Sequence, residues 1–220
     1  MKKYVQKLQQ NALFKNFKST DLESILNCLS AKVNPYKKKD IILLQGDPVN
    51  FVGIILSGSI QVMKEDFEGN IIVLAHFGIN DIFAEAFACA DVDESPVTVQ
   101  AVEDCEILLI DYKRVIKTCH KACIFHSNLI ENMLSLIARK NIMLHEKIEI
   151  LSKRTTREKL LAFFDIQIQM SHSKKFSIPC NREGLANYLC VDRSALSREL
   201  SNMRDEGLIR FKKNEFEILL

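Results

Sequence analysis

Arg193, Ser194, Ser197 and Arg198 fall at helical spacing within NREGLANYLCVDRSALSRELSNMR, residues 181–204. Two guanidiniums and two hydroxyls on one helix face form the pattern of a helix that reads DNA. Something must hold that face outward. Leu185, Ala186, Leu189, Val191, Leu196 and Leu200 lie where two crossing helices meet, and the small Ala186 lets the backbones approach. Asp192 is placed to cap the second helix, so residues 193–198 fill its first two turns, the part that enters a major groove. Cys190 stands at the turn position where glycine often supplies a positive φ. A helix pair of this kind can also be a plain solvated surface, but the residues after it favour the DNA-reading pattern. Gly207 ends the second helix, and IRF, KKN and EFEILL then alternate as two short strands around Lys212, Lys213 and Asn214. The segment reads as a winged helix-turn-helix.

The net charge is only +2, yet it is unevenly placed. Residues 1–150 hold 17 basic and 19 acidic groups, whereas residues 151–220 hold 13 and 9, a net +4. Lys153, Arg154, Arg182, Arg193, Arg198, Lys212 and Lys213 concentrate near the elements that would face phosphates. At 220 residues and 47% hydrophobic content the chain can hold two domains, each with its own core. MKKYVQKLQQ has no apolar run and no stretch of 18 apolar residues occurs, so neither a signal peptide nor a membrane span is expected and the location is read as cytoplasmic. Seven cysteines (28, 89, 105, 119, 123, 180, 190), an odd number without a repeated metal spacing, suit reduced thiols.

The first two thirds read differently. A short helical stretch over residues 13–30 precedes the β-rich segments DIILLQGD, FVGIILSGSIQVM, NIIVLAHFG and CEILLID. Gly46, Gly58, Gly69 and Gly78 recur at 9 to 12 residue intervals, with Gly53 inside one run, the spacing of turns in an all-β roll. A long helix over 123–151 then carries the seam Ile130, Leu134, Ile137, Asn141, Leu144, Ile148, Leu151, with steps of 4 and 3. Such a heptad seam pairs with a copy of itself, and a lone Asn at a seam position fixes register and a two-stranded state. The seam could instead pack on its own β-domain. The break at 152–156 leads to Thr155 and Glu158, spaced as a capping box for a helix through Leu160, Leu161, Phe163 and Phe164, and marks a candidate hinge. The expected organisation is α+β: a β-roll over 1–122, a dimerisation helix over 123–151 and a winged helix-turn-helix over 152–220.

With these parts in order, the chain resembles the CRP/FNR family of bacterial transcription regulators over essentially its whole length. KKKDIILLQGDPVNFVGIILSGSIQVMKEDFEGNIIVLAHFGINDIFAE is similar to the family's cyclic-nucleotide-binding β-roll, and VDRSALSRELSNMRDEGLI to its recognition helix with the following turn. The resemblance implies a homodimer on a near-palindromic double-stranded site, its two reading helices roughly 34 Å apart, with RNA polymerase as a further partner. It assigns base contacts to Arg193, Ser194 and Arg198, where Arg198 matches the guanine-reading arginine and Ser194 replaces a common glutamate. Ser197, Arg182 and Lys213 remain for phosphate contacts, which position without reading sequence. In the effector region, Phe83, Ala84, Glu85, Ser95, Pro96 and Leu144 occupy the pocket positions. Glu85 matches the acidic residue that holds a ribose, but Ala84 replaces a glycine, and Ser95 and Pro96 stand where an arginine and a serine grip the cyclic phosphate. A cyclic phosphate needs a charge-assisted partner and backbone donors, and proline removes one N–H. Leu144 and His145 replace the hydroxyl residues that contact adenine, so the expected effector is not cyclic AMP, and its identity is open.

Other chemistries are weaker. Cys28 is the only cysteine before residue 80, which does not suit the family's amino-terminal iron–sulfur cluster. His76, Cys119, His120, His126 and His145 are conceivable haem ligands outside any attachment motif, and Cys119 and Cys123 share a helix face without converging partners. No metal site is expected and the cofactor is unknown. A small, partly apolar ligand near Phe83, Glu85, Ile137 and Leu144 remains. No paired carboxylates, nucleophile elbow or phosphate loop occurs, so an enzyme is not expected. The competing reading is a ligand-binding module that regulates a partner protein, which has no need of Arg193 and Arg198 on an exposed helix.

Overall fold

The computed structural model describes residues 2–116 and 124–219. Cys119, His120 and Cys123 lie outside the described residues. The chain divides into two compact units, residues 1–138 and 139–220.

The first unit begins with α1 (Val5–Gln9) and α2 (Ser19–Cys28), then runs through β1 (Lys32–Tyr36), β2 (Ile41–Leu43), β3 (Phe51–Ser57), β4 (Ile60–Glu65), β5 (Ile71–Phe77), β6 (Ile82–Phe83), α3 (Glu85–Cys89), β7 (Thr98–Ala101), β8 (Cys105–Asp111) and α4 (Tyr112–Ile116). Two four-stranded antiparallel sheets form, in the orders β1-β8-β3-β6 and β2-β7-β4-β5. In β3 the run VGIIL is wholly buried, with Val52 opposite Ile110 and Ile54 opposite Leu108. A continuous apolar strand of this kind is covered on both faces. Gly58 turns β3 into β4 at φ +78°, and a Cβ there would lie 2.5 Å from the Asp104 carbonyl. At the β4–β5 tip the Asp66 carboxylate accepts from the backbone N–H groups of Glu68 and Asn70, both at 2.9 Å, and from the Asn70 amide. These bonds, the Asn70 amide first, hold its carboxyl below the usual carboxylate range. Leu8, Phe14, Leu22 and Ile25 pack from the helices onto the same core.

The expected long helix is α5 (Ile124–Ser152). Leu129 and Met133, four apart, are buried in the first unit's core, with Leu136 and Ile137 packed against it. Asn132 extends this attachment by donating to the carbonyls of Leu13 and Lys15 at 3.0 and 2.9 Å.

In the second unit, α6 (Thr156–Ser171) starts at the expected capping box: Thr155 accepts from the Glu158 N–H, and Glu158 accepts from the Thr155 N–H. β9 (Lys175–Ser177), α7 (Arg182–Leu189), α8 (Arg193–Asp205), β10 (Ile209–Lys212) and β11 (Glu215–Ile218) complete it. The wing holds three strands, in the order β10-β11-β9, one more than the sequence suggested. Its core gathers Ile150, Leu160, Phe164, Leu185, Leu189, Leu196, Leu200, Met203 and Phe216. The 3.6-residue spacing that predicted the helix crossing therefore selects the residues that are buried.

Candidate nucleic-acid interface and effector region

The helix-turn-helix is built from its ends. Asn181 caps α7 by accepting from the Gly184 N–H at 2.9 Å. At its other end Cys190 takes φ +50° and ψ +56°, and the Val191 N–H reaches back to the Ala186 carbonyl at 3.0 Å. That closure is the left-handed ending glycine usually supplies, so Cys190 adopts the conformation that its residue type disfavours. Two lysines meet the carbonyls left open there. Lys159 of α6 donates to Leu189 at 3.1 Å and Cys190 at 3.4 Å. Lys147 of α5 donates to the Tyr188 carbonyl and lies 3.4 Å over the Tyr188 ring, and burial pushes its ammonium below the usual lysine range.

Asp192 occupies the position before α8, but its side chain makes no capping bond. The carboxylate is exposed to water, and what it retains is its place at the positive end of the helix. From behind, Arg157 of α6 holds α8: its guanidinium meets Glu199 at 2.5 Å and grips Glu206 through two nitrogens at 2.5 and 2.9 Å. The two carboxylates, Glu206 foremost, push the Arg157 value up, and Arg157 holds Glu206 below the usual carboxylate range.

With Leu196, Leu200 and Met203 buried, Arg193, Ser194, Ser197 and Arg198 are all exposed. Arg193 also lines a surface cleft of about 350 Å³ with Asn181, Arg182, Glu183, Lys213 and Asn214. Three cations from α7, α8 and the β10–β11 turn thus converge on one hollow, while Ser194, Ser197 and Arg198 lie outside its lining. Lys213 forms the tip of that turn at φ +55°. Arg182 stands apart chemically, because its guanidinium carbon lies 4.7 and 4.9 Å over the Phe211 and Phe216 rings and burial lowers its value. Asn181 and Glu183 are members of the site that the sequence does not single out, and Asn214 is read there only as a turn residue. A capping Asn three positions before Gly184 is a signal available for the first of them. Lys147, Lys159 and Arg157 are invisible there, since their partners lie 30 to 49 residues away.

Four of the six effector positions, Phe83, Ala84, Glu85 and Ser95, are buried. Phe83 closes β6 with its ring edge-on to Phe51, centroids 6.2 Å apart, and a Cβ on Gly53 would meet that ring at 2.2 Å. Ala84 has φ +63°, so the glycine-like conformation is kept without the glycine. Glu85 and Ser95 are buried. The Ser95 hydroxyl donates to the Val97 carbonyl at 2.7 Å and its N–H to the Asp47 carbonyl at 2.7 Å, so both groups are engaged within the protein. Pro96 is exposed. On α5, Leu134, Leu144 and Ile148 are 63%, 60% and 62% exposed, Asn141 is exposed, and Ile130, Ile137 and Leu151 are half-buried. Among the described residues, no three His, Cys, Asp or Glu side chains come together as metal ligands, and no helix is long and apolar enough to cross a membrane.

Residues 33–122 match the cyclic nucleotide-binding domain family, and residues 158–220 match the Crp-like helix-turn-helix domain family. The CRP-like protein Clp of Xanthomonas oryzae pv. oryzae is 21% identical over 188 residues, covering 79% of this chain and 78% of that protein. The catabolite activator protein of Thermus thermophilus superposes with a TM-score of 0.55 at 21% identity, covering 94% of this chain and 93% of that one. The c-di-GMP-responsive global regulator CLP of Xanthomonas campestris gives 0.56 at 17%, covering 91% and 99%. With both family domains matched in order, and the fold of such regulators spanning nearly the whole length, the chain belongs to the CRP/FNR family of transcription regulators and carries its DNA-binding helix-turn-helix domain.

Proposed function

We propose that the protein is a cytoplasmic homodimer that binds a near-palindromic site, with Arg193, Ser194 and Arg198 at base edges and Arg182, Ser197 and Lys213 at phosphates. The observation that carries this reading is the exposed stripe from Arg193 to Arg198 beside the three-cation cleft. The planar fork of Arg198 fits the O6 and N7 acceptors of guanine, and Lys213 on a turn tip suits a phosphate. The exposed seam residues Leu134, Leu144 and Ile148 support pairing of two copies along α5. On this reading the three parts of the chain, 1–122, 123–151 and 152–220, are sensor, dimer helix and DNA reader. RNA polymerase is the expected protein partner, and catalysis has no place in the scheme.

The effector is something other than cyclic AMP, or is absent. Ser95 is engaged by the carbonyls of Val97 and Asp47 and Pro96 offers no N–H, so neither provides the charge-assisted grip a cyclic phosphate needs. The deciding experiment selects bound sequences from a random DNA pool at stated salt, first without ligand and then with cyclic AMP and c-di-GMP. The latter joins the panel because one regulator of this fold responds to it. An enriched palindrome with a guanine in each half-site is expected. Arg198→Ala should weaken the selected site by about 1–3 kcal/mol and relax preference at one base pair. Equal loss on random and selected DNA would refute the base contact. A pool left unenriched under every condition would refute the regulator reading in favour of a module acting on a partner protein.

A further inference from the structure

We propose that Cys28 is an oxidation site for small hydroperoxides, with His126 as the base that activates it. Cys28 ends α2 and is exposed. Its Sγ lies 3.9 Å from Nε2 of His126, an imidazole in the first turns of α5 that is only 1% exposed. A buried ring directed at an exposed sulfur is a geometry that serves thiol chemistry, because the reactive form is the thiolate and a neighbouring imidazole can take its proton. The end of a helix opposes negative charge, and Arg114 offsets this by bringing its guanidinium to 3.4 Å from the Cys28 carbonyl.

The other four described thiols are placed differently, and Cys180 is half-buried. Cys105 is buried, and burial pushes its thiol up. Cys89 is half-buried and is pushed up by burial in the same way. Cys190, the other exposed one, directs its sulfur at the Asn187 carbonyl at 3.7 Å.

The step balances with a hydroperoxide, ROOH, as the oxidant. The Cys28 thiol proton passes to Nε2, and the sulfur attacks the terminal peroxide oxygen. An S–O bond forms as the O–O bond breaks, and the departing alkoxide takes its proton from the imidazolium and leaves as ROH. Sulfur loses two electrons to become sulfenic acid, and the peroxide gains them. His126 lies one turn before Leu129, which with Met133 buries α5 in the core. Oxidation therefore adds a polar oxygen at the contact between α2 and the attached end of the long helix.

The test exposes the full-length reduced protein to limiting hydrogen peroxide, alkylates the remaining thiols and reads each cysteine by peptide mass spectrometry. Cys28 should lose its free thiol about tenfold faster than Cys190. His126→Gln should remove that advantage while leaving the Cys190 rate unchanged. An equal or slower Cys28 in the native protein overturns the proposal, as does a folded His126→Gln protein that keeps the native Cys28 rate. If that variant fails to fold, the native ratio of Cys28 to Cys190 decides alone.

Discussion

Replacing Cys190 with glycine should stabilise the second unit. Cys190 sits at φ +50° and ψ +56° between α7 and α8, and an L-residue there carries about 1–2 kcal/mol of steric cost that glycine does not. Glycine returns about 0.5–1 kcal/mol of that as extra freedom in the unfolded chain. What the substitution deletes is small: an exposed sulfur whose contact is the Asn187 carbonyl at 3.7 Å, a weak donor at long range. The net gain is then about 0.5–1 kcal/mol, or about 2–8 °C in midpoint for a unit of this size. Cys190→Val should act in the opposite direction, because a β-branched residue tolerates positive φ least. Scanning calorimetry suits the measurement, since two units can unfold separately, and urea midpoints at constant slope give a second value. A glycine variant that melts below the parent, or a valine variant that melts with it, would refute the assignment of the turn. DNA affinity should change little in the glycine variant, because the exposed stripe on α8 is untouched.

Two further outcomes concern the helices. Glu158 is held below the ordinary carboxylate range, chiefly by the Thr155 N–H. Its contribution is therefore fully present above the unfolded value near pH 4.3 and fades as the pH falls through the lower folded value. The melting difference between the parent and Glu158→Gln should shrink between about pH 5 and pH 3, and a difference that stays constant with pH refutes the charged capping box. Leu134→Lys with Ile148→Lys should leave circular dichroism unchanged, because both positions are exposed, but should halve the mass seen by light scattering and weaken palindrome binding on the order of a hundredfold. A parent and variant of equal mass would refute pairing through the seam.

How far the sequence could be read depended on whether an element's cause was local. Leu185, Leu189, Leu196 and Leu200 repeat at helical spacing, and all are buried at the crossing they implied. The apolar run of β3 and the glycine turns were equally plain. The element β1 was not, because Pro35 sits inside it. It is tolerated as β1 pairs only with β8, at the edge of its sheet. The strands β6 and β9 are two and three residues long and owe their form to neighbours already in place, β3 and β11. In the candidate site, the exposed stripe on α8 could be read from periodicity. The positive φ of Ala84 and Cys190 was hinted at only by their places, a glycine position in each case, and not by either residue type. Nor could the grip of Arg157 on Glu199 and Glu206, which joins groups 42 and 49 residues apart.

The two lysines at the end of α7 have a consequence for how DNA would be met. Lys147 and Lys159 come from different helices and occupy three successive carbonyls, those of Tyr188, Leu189 and Cys190. A helix end tied from two sides cannot fray by itself, so amide exchange in the turn should require opening of a larger cooperative block. The turn that leads into the reading helix is then tied down before any duplex arrives. Association needs no folding of that segment, and its entropy is set by released counterions and displaced water rather than by a chain that must first find its shape.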